Sequence, residues 1–134
     1  MLVGCAEQSV AHPRVGDFTL NQLSGAGCGM TLWQPKRSNN NRFIFFNGLN
    51  PNSMEMMIDG KMTKFRRIKA TGQQFYGQKT SQTFRSQDGK TVVDVNVKLG
   101  AKGEIESVQI KQGTLRVTKN RQQTTIPVVG DAGC

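Results

Sequence analysis

Residues 78–126 read QKTSQTFRSQDGKTVVDVNVKLGAKGEIESVQIKQGTLRVTKNRQQTTI. Apolar and polar residues alternate along this stretch, and the alternation is broken by Asp88-Gly89, Gly100-Ala101-Lys102-Gly103, Gln112-Gly113 and Asn120-Arg121. Period-two patterning punctuated by turn-forming residues is the mark of antiparallel strands joined by tight hairpins. A hairpin at Asp88-Gly89 sets Phe84 opposite Val93. A turn at residues 100–103 sets Val97 opposite Glu106, Val95 opposite Val108 and Val93 opposite Ile110. Gln112-Gly113, read as a further turn, pairs Ile110 with Leu115 and Val108 with Val117, and Asn120-Arg121 brings Leu115 against Ile126.

These turns put Phe84, Val93, Val95, Val97, Val108, Ile110, Leu115, Val117 and Ile126 on one face. Thr83, Arg85, Asp94, Asn96, Lys98, Ser107, Gln109, Lys111, Arg116 and Thr118 fall on the other. A one-residue slip would exchange the two sets, so their consistency argues for a half-solvated antiparallel meander. Pro127 suits an edge or final strand, where its missing N–H costs nothing.

Toward the amino terminus, strands are expected at residues 28–33 and 42–47, and in a hairpin of 54–58 with 61–68 around Asp59-Gly60. In that hairpin Met54, Met56 and Ile58 share a face with Thr63 and Phe65, while Glu55 pairs with Lys64 on the other side. Residues 34–41 form a polar loop. The apolar face of the meander needs a cover, and these strands are the only large partner. The predicted fold is therefore all-β, an antiparallel meander forming a small β-sandwich or barrel, two closures that share one alternation pattern. Residues 1–16 have little alternation and contain His12-Pro13, so they read as a flexible leader or tether, with residues 17–134 as a single β domain.

The chain of 134 residues carries 18 Lys+Arg against 9 Asp+Glu, a net charge of +9. Such a bias draws the protein to nucleic acid, anionic lipid, acidic polysaccharide or acidic protein in a salt-dependent way. The same cations also solvate strands and block edge pairing. The densest cluster is Lys64-Phe65-Arg66-Arg67-Ile68-Lys69. Candidate anion contacts are Lys64, Arg66, Arg67 and Lys69, joined across the polar face by Lys98, Lys111 and Arg116. Aromatics are only 7% of the chain, and no base-stacking platform is visible, which makes nucleic acid the weaker partner. No run is long and apolar enough for a membrane-spanning helix.

Cys5, Cys28 and Cys134 fit no zinc ribbon, redox dithiol or haem-attachment spacing. Leu2-Val3-Gly4-Cys5 reads as the end of a bacterial lipoprotein signal, with Cys5 as the lipidation site and Ala6-Glu7-Gln8-Ser9 as a tether. The basic region and apolar run that export requires are absent before Leu2, so this reading places them upstream of Met1. With Cys5 acylated, Cys28 and Cys134 remain as an even pair in an oxidising compartment, and a disulfide between them is expected. Closing so long a loop contributes on the order of 4 kcal/mol in the chain-entropy picture. The alternative is two unpaired thiols, with Cys28 buried as a small hydrophobe.

Gly25-Ala26-Gly27-Cys28-Gly29 resembles a phosphate-binding loop only in its glycines: it leads into a strand, and no Lys-Ser/Thr follows. His12 and Cys28 could act as base and nucleophile, but His12 lies in the leader and no third orienting group is evident. Trp33 reads as a core or rim aromatic, and Met54, Met56, Met57 and Met62 as adaptable core packing. No catalytic, cofactor or metal site is expected.

Cys28-Gly29-Met30, Ile58-Asp59-Gly60-Lys61 and Gly130-Asp131-Ala132-Gly133-Cys134 together resemble a group of uncharacterised bacterial exported proteins. Members open with a Cys-Gly-Cys-like strand, carry an I-D-G-K hairpin and close on Gly-Cys; Met30 stands here where a second cysteine is common. The resemblance implies an exported β domain and leaves Cys28 and Cys134 as partners. The expected function is a non-enzymatic binding or structural domain of the bacterial envelope, lipid-anchored or free in the periplasm, whose ligand the sequence does not name and for which an anionic partner or membrane surface is the candidate. The alternative is a cytosolic basic protein that contacts nucleic acid.

Overall fold

Three two-residue turns reverse the chain: Asp59-Gly60, Tyr76-Gly77 and Asn120-Arg121. Both residues of each lie in the left-handed region, with φ of 51° and 82°, 43° and 77°, and 51° and 64°. That geometry matches the right-handed twist of paired strands and sets neighbouring strands antiparallel. The computed structural model describes residues 11–25, 27–37, 39, 41–102 and 106–134. Among them nine strands form: β1 (Val15–Gly16), β2 (Gly29–Trp33), β3 (Phe45–Gly48), β4 (Met54–Ile58), β5 (Lys61–Phe75), β6 (Gln78–Ser86), β7 (Thr91–Lys102), β8 (Ser107–Lys119) and β9 (Gln122–Gly133).

Strands β2 to β9 follow one another around a closed antiparallel barrel, and β1 is an extra strand. The seam joins β9 to β2, with Gly29 opposite Gly133 and Trp33 opposite Val129. Closure removes the exposed edges that an open meander would keep. Gly130 is required at the seam, because a Cβ there would overlap the carbonyl oxygen of Thr31. Cys28 and Cys134 lie beside the seam with their sulfurs at disulfide-bonding distance and their Cα atoms 4.2 Å apart.

The barrel core contains Phe84, Val93, Val95, Val97, Val108, Ile110, Leu115 and Val117, as the alternation required, with Ile126 packed against it. Met30, Leu32, Phe45, Met54, Met56, Ile58 and Phe65 complete it from β2 to β5. Phe45 meets Phe84 edge to face, with ring centroids 5.7 Å apart, a favoured aromatic geometry.

The register differs from the expected one in the middle of the meander. Phe84 faces Val93, and Leu115 faces Ile126. However, β7 runs on to Lys102, so Val95 faces Leu115 and Val93 faces Val117, instead of Val108 and Ile110. Gln112-Gly113 is no turn: Gly113 lies inside β8, at a bulge between Ile110 and Gly113 against β9. A bulge adds a residue to one strand and restores the inward set beyond it, so the face is right although the partners are not.

The boundary expected at Asp17 also falls elsewhere. Residues 12–16 are tied to the barrel: His12 Nδ1 lies 2.8 Å from the Gln123 carbonyl oxygen, and Thr124 Oγ1 donates to Pro13 O at 2.6 Å. Val15 and Gly16 then pair with Ile58 and Met57 of β4. Residues 1–10, with Cys5, lie outside the described residues.

Asp59 clamps this segment. Its carboxylate accepts from Arg14 N at 2.9 Å and from Lys119 Nζ at 2.9 Å. Those two hydrogen bonds hold its carboxyl below the ordinary aspartate value of 3.8. A lowered folded-state value adds stability that is complete above the unfolded-state value and is lost as pH falls through the folded-state one. The urea midpoint is therefore expected to decline more steeply below about pH 4 in the wild type than in Asp59→Asn. Parallel acid limbs in a pH 7 to 2 urea series would remove the clamp from the account.

Candidate functional site

The outer wall, the disulfide end and the inner wall each carry polar chemistry. On the outer wall, alternation from the buried Phe65 and Phe84 turns Lys64, Arg66 and Arg85 outward. Arg66 and Arg85 stand directly opposite each other on β5 and β6. A like-charge pair facing across two strands is destabilising. Lys64 lies two residues from Arg66 on the same face, where it faces Glu55 of β4. Lys69 faces Thr83, which faces Asp94, which faces Arg116, so these four form one row across β5 to β8.

The seven cations expected to gather do not act alike. Arg116 Nη2 donates to Asp94 Oδ2 at 3.0 Å, and Thr83 Oγ1 donates to Asp94 Oδ1 at 2.8 Å. Arg67 departs from the polar face: its Nη1 donates to Gly77 O at 2.9 Å and to the buried Gln82 Oε1 at 2.8 Å. Lys98 faces Gln112, and Lys111 lies in the β8 bulge, toward the disulfide end of the wall. Lys98 is six residues along β7 from Val92, the partner of Arg85, a separation of about 20 Å on a strand. Among the described residues, Lys64, Arg66, Lys69, Arg85, Lys98 and Lys111 make no ion pair.

At the disulfide end, Ser24, Gly25 and Cys28 face Phe46, Gly48, Leu49, Asn50, Ser53 and Glu55 across a cleft. Glu55 sits cross-strand from Lys64, but its carboxylate takes Ser24 instead, accepting from Ser24 N at 3.2 Å and Ser24 Oγ at 3.0 Å. Sequence reasoning missed this contact, since 31 residues separate the partners.

The inner wall holds a buried amide cluster. Asn47 Nδ2 donates to Gln78 Oε1 at 2.6 Å and Gln82 Nε2 donates to the same oxygen at 3.2 Å. Gln78 Nε2 donates to the carbonyls of Asn47 and Gly48 at 3.1 and 3.0 Å. Asn47 Oδ1 has no donor among the described residues.

Trp33 lies on the outer wall next to the seam, half-buried. Arg37 covers it, with the guanidinium carbon 4.2 Å from the ring centroid, and Phe43 meets it edge-on at 5.9 Å. Burial pushes the nearby Asp131 carboxyl above its ordinary value, and Arg37 opposes that shift. His12 and Cys28 sit at opposite ends of the barrel, beside the Asp59 turn and the seam cysteines respectively, so they form no pair. Among the described residues, no three His, Cys, Asp or Glu side chains gather as metal ligands. No family model, curated protein or solved structure matches this chain.

Proposed function

We propose that this barrel is a non-catalytic binding or structural domain of the bacterial envelope, which engages an anionic partner or membrane surface through the outer wall of β5 and β6. The observation that carries the reading is the Arg66–Arg85 pair, flanked by Lys64 and Lys69, none of which makes an ion pair among the described residues. Two facing guanidiniums repel each other in the free protein and are relieved by a shared anion, so binding recovers the energy their placement costs. The inner wall is occupied by packed side chains, as an eight-stranded barrel of this width allows, which directs a large partner to the outside. A cysteine pair at bonding distance suits an oxidising compartment.

Sedimentation with vesicles tests the reading. The protein is expected to pellet with phosphatidylglycerol vesicles and not with phosphatidylcholine ones, and to be released as salt rises. Arg66→Ser with Arg85→Ser should weaken binding about thirtyfold, at roughly 1 kcal/mol per cation near the surface. Equal binding to both vesicles, or no loss in the double variant, would sink it. Tighter binding to a labelled oligonucleotide than to vesicles at physiological salt would move the assignment to nucleic acid.

A further inference from the structure

The cleft at the disulfide end has a volume of about 340 Å3, within the range of small-molecule sites. Glu55 lines it while only 5% exposed. Its carboxylate has the two donors of one neutral serine, Ser24 N and Ser24 Oγ. Among the described residues no Lys, Arg or His comes within 4.0 Å of it, Lys64 across the strand pair included. An ionised carboxylate that has lost most of its water is ordinarily matched by a cation, since its desolvation is otherwise uncompensated. The cleft also offers apolar surface: Phe46, almost fully buried, beside Glu55, and Leu49, 51% exposed, near the opening.

We infer that this cleft binds a small organic cation, a primary ammonium on a short alkyl chain. The nitrogen donates to the Glu55 carboxylate and the alkyl chain lies along Phe46 and Leu49. An ammonium supplies three donors and a compact charge, which suits a carboxylate with lone pairs to spare. Of the basic outer wall, Lys64 stands opposite Glu55 but makes no ion pair with it, and more distant charges are screened at physiological salt while the ligand's ammonium is in direct contact with the carboxylate. The inference stands apart from the anionic-partner reading and uses none of its cations.

The test is an NMR titration of the whole disulfide-intact protein with n-butylammonium chloride, and with n-butanol as the uncharged control. Saturable amide shifts are expected at Ser24, Phe46, Gly48, Ser53 and Glu55 with the ammonium, and binding about tenfold or more weaker with the alcohol, the margin of a charged hydrogen bond. Glu55→Gln should bring the ammonium down to the level of the alcohol. Leu49→Lys, a change at an exposed position, places an internal ammonium at the cleft and should weaken butylammonium binding to a similar degree; this variant decides the matter if Glu55→Gln does not fold. No saturable shifts in the wild type, equal binding of alcohol and ammonium, or unchanged binding in a folded Glu55→Gln or Leu49→Lys protein would each overturn the inference.

Discussion

Replacing Cys28 and Cys134 by serine is expected to lower the unfolding free energy by about 4 kcal/mol. The pair spans 106 residues, so the bridge removes a large share of the freedom of the unfolded chain. It also lies beside the β2–β9 seam, the pairing in the barrel wall most distant in sequence. Chemical denaturation with and without reductant measures the loss. Hydrogen exchange should then show the seam amides, such as Thr31 and Asp131, opening first in the reduced protein. A reduced protein with an unchanged midpoint would show that the seam holds without the bridge.

Gln78→Leu is expected to cost about 3 kcal/mol, although it places an apolar residue in an apolar barrel. Gln78 accepts from both Asn47 and Gln82 and donates to the Asn47 and Gly48 carbonyls. Leucine leaves the Asn47 and Gln82 amides without their shared acceptor and takes a donor from the two carbonyls, and unpaired buried polar groups cost far more than a hydrogen bond gains. Adding Asn47→Leu should recover part of the loss, because it removes one stranded amide. Urea titrations of the two single variants and the double variant complete the cycle, and strictly additive losses would mean that the cluster does not act as a unit.

Alternation made the inner and outer faces legible, because it records which way each side chain points. It does not record which residue stands opposite. Gly113 shows the difference: Gln112-Gly113 has the composition of a turn, yet Gly113 stays in β8, where a Cβ would press on the Asn96 carbonyl oxygen and the Val97 side chain. Turn and close approach leave the same letter in the sequence. Tyr76 failed in the opposite way, since a tyrosine at φ 43° signals no turn by its type. The choice of barrel over sandwich rests on β2 meeting β9, a long-range pairing that local pattern does not encode.

The candidate site was half legible for the same reason. Lys64, Arg66 and Lys69 were visible as a dense basic run, but the parity that sends Phe65 inward also sends Arg67 inward, and counting alternation from Phe65 would have removed it from the contacts. Arg85 joins Arg66 only through two register shifts in the β5–β6 pairing, at Arg67/Lys69 and Thr71/Gln74. Glu55 has a natural cross-strand partner in Lys64, and only the path of residues 17–25 over the outside of the barrel gives it Ser24.

The seam also governs how the protein folds. Each wall pairing from β2–β3 to β8–β9 joins consecutive strands, so the ribbon assembles by successive local steps. Ring closure is different in kind, because it waits for two strands about a hundred residues apart. Until that moment the ribbon presents β2 at one side and β9 at the other, and those edges are complementary between molecules as well as within one. Two ribbons meeting edge to edge satisfy the same β2–β9 hydrogen bonds and the same cysteine pairing between molecules instead of within one. Refolding yield thus becomes a contest between intramolecular closure and protein concentration.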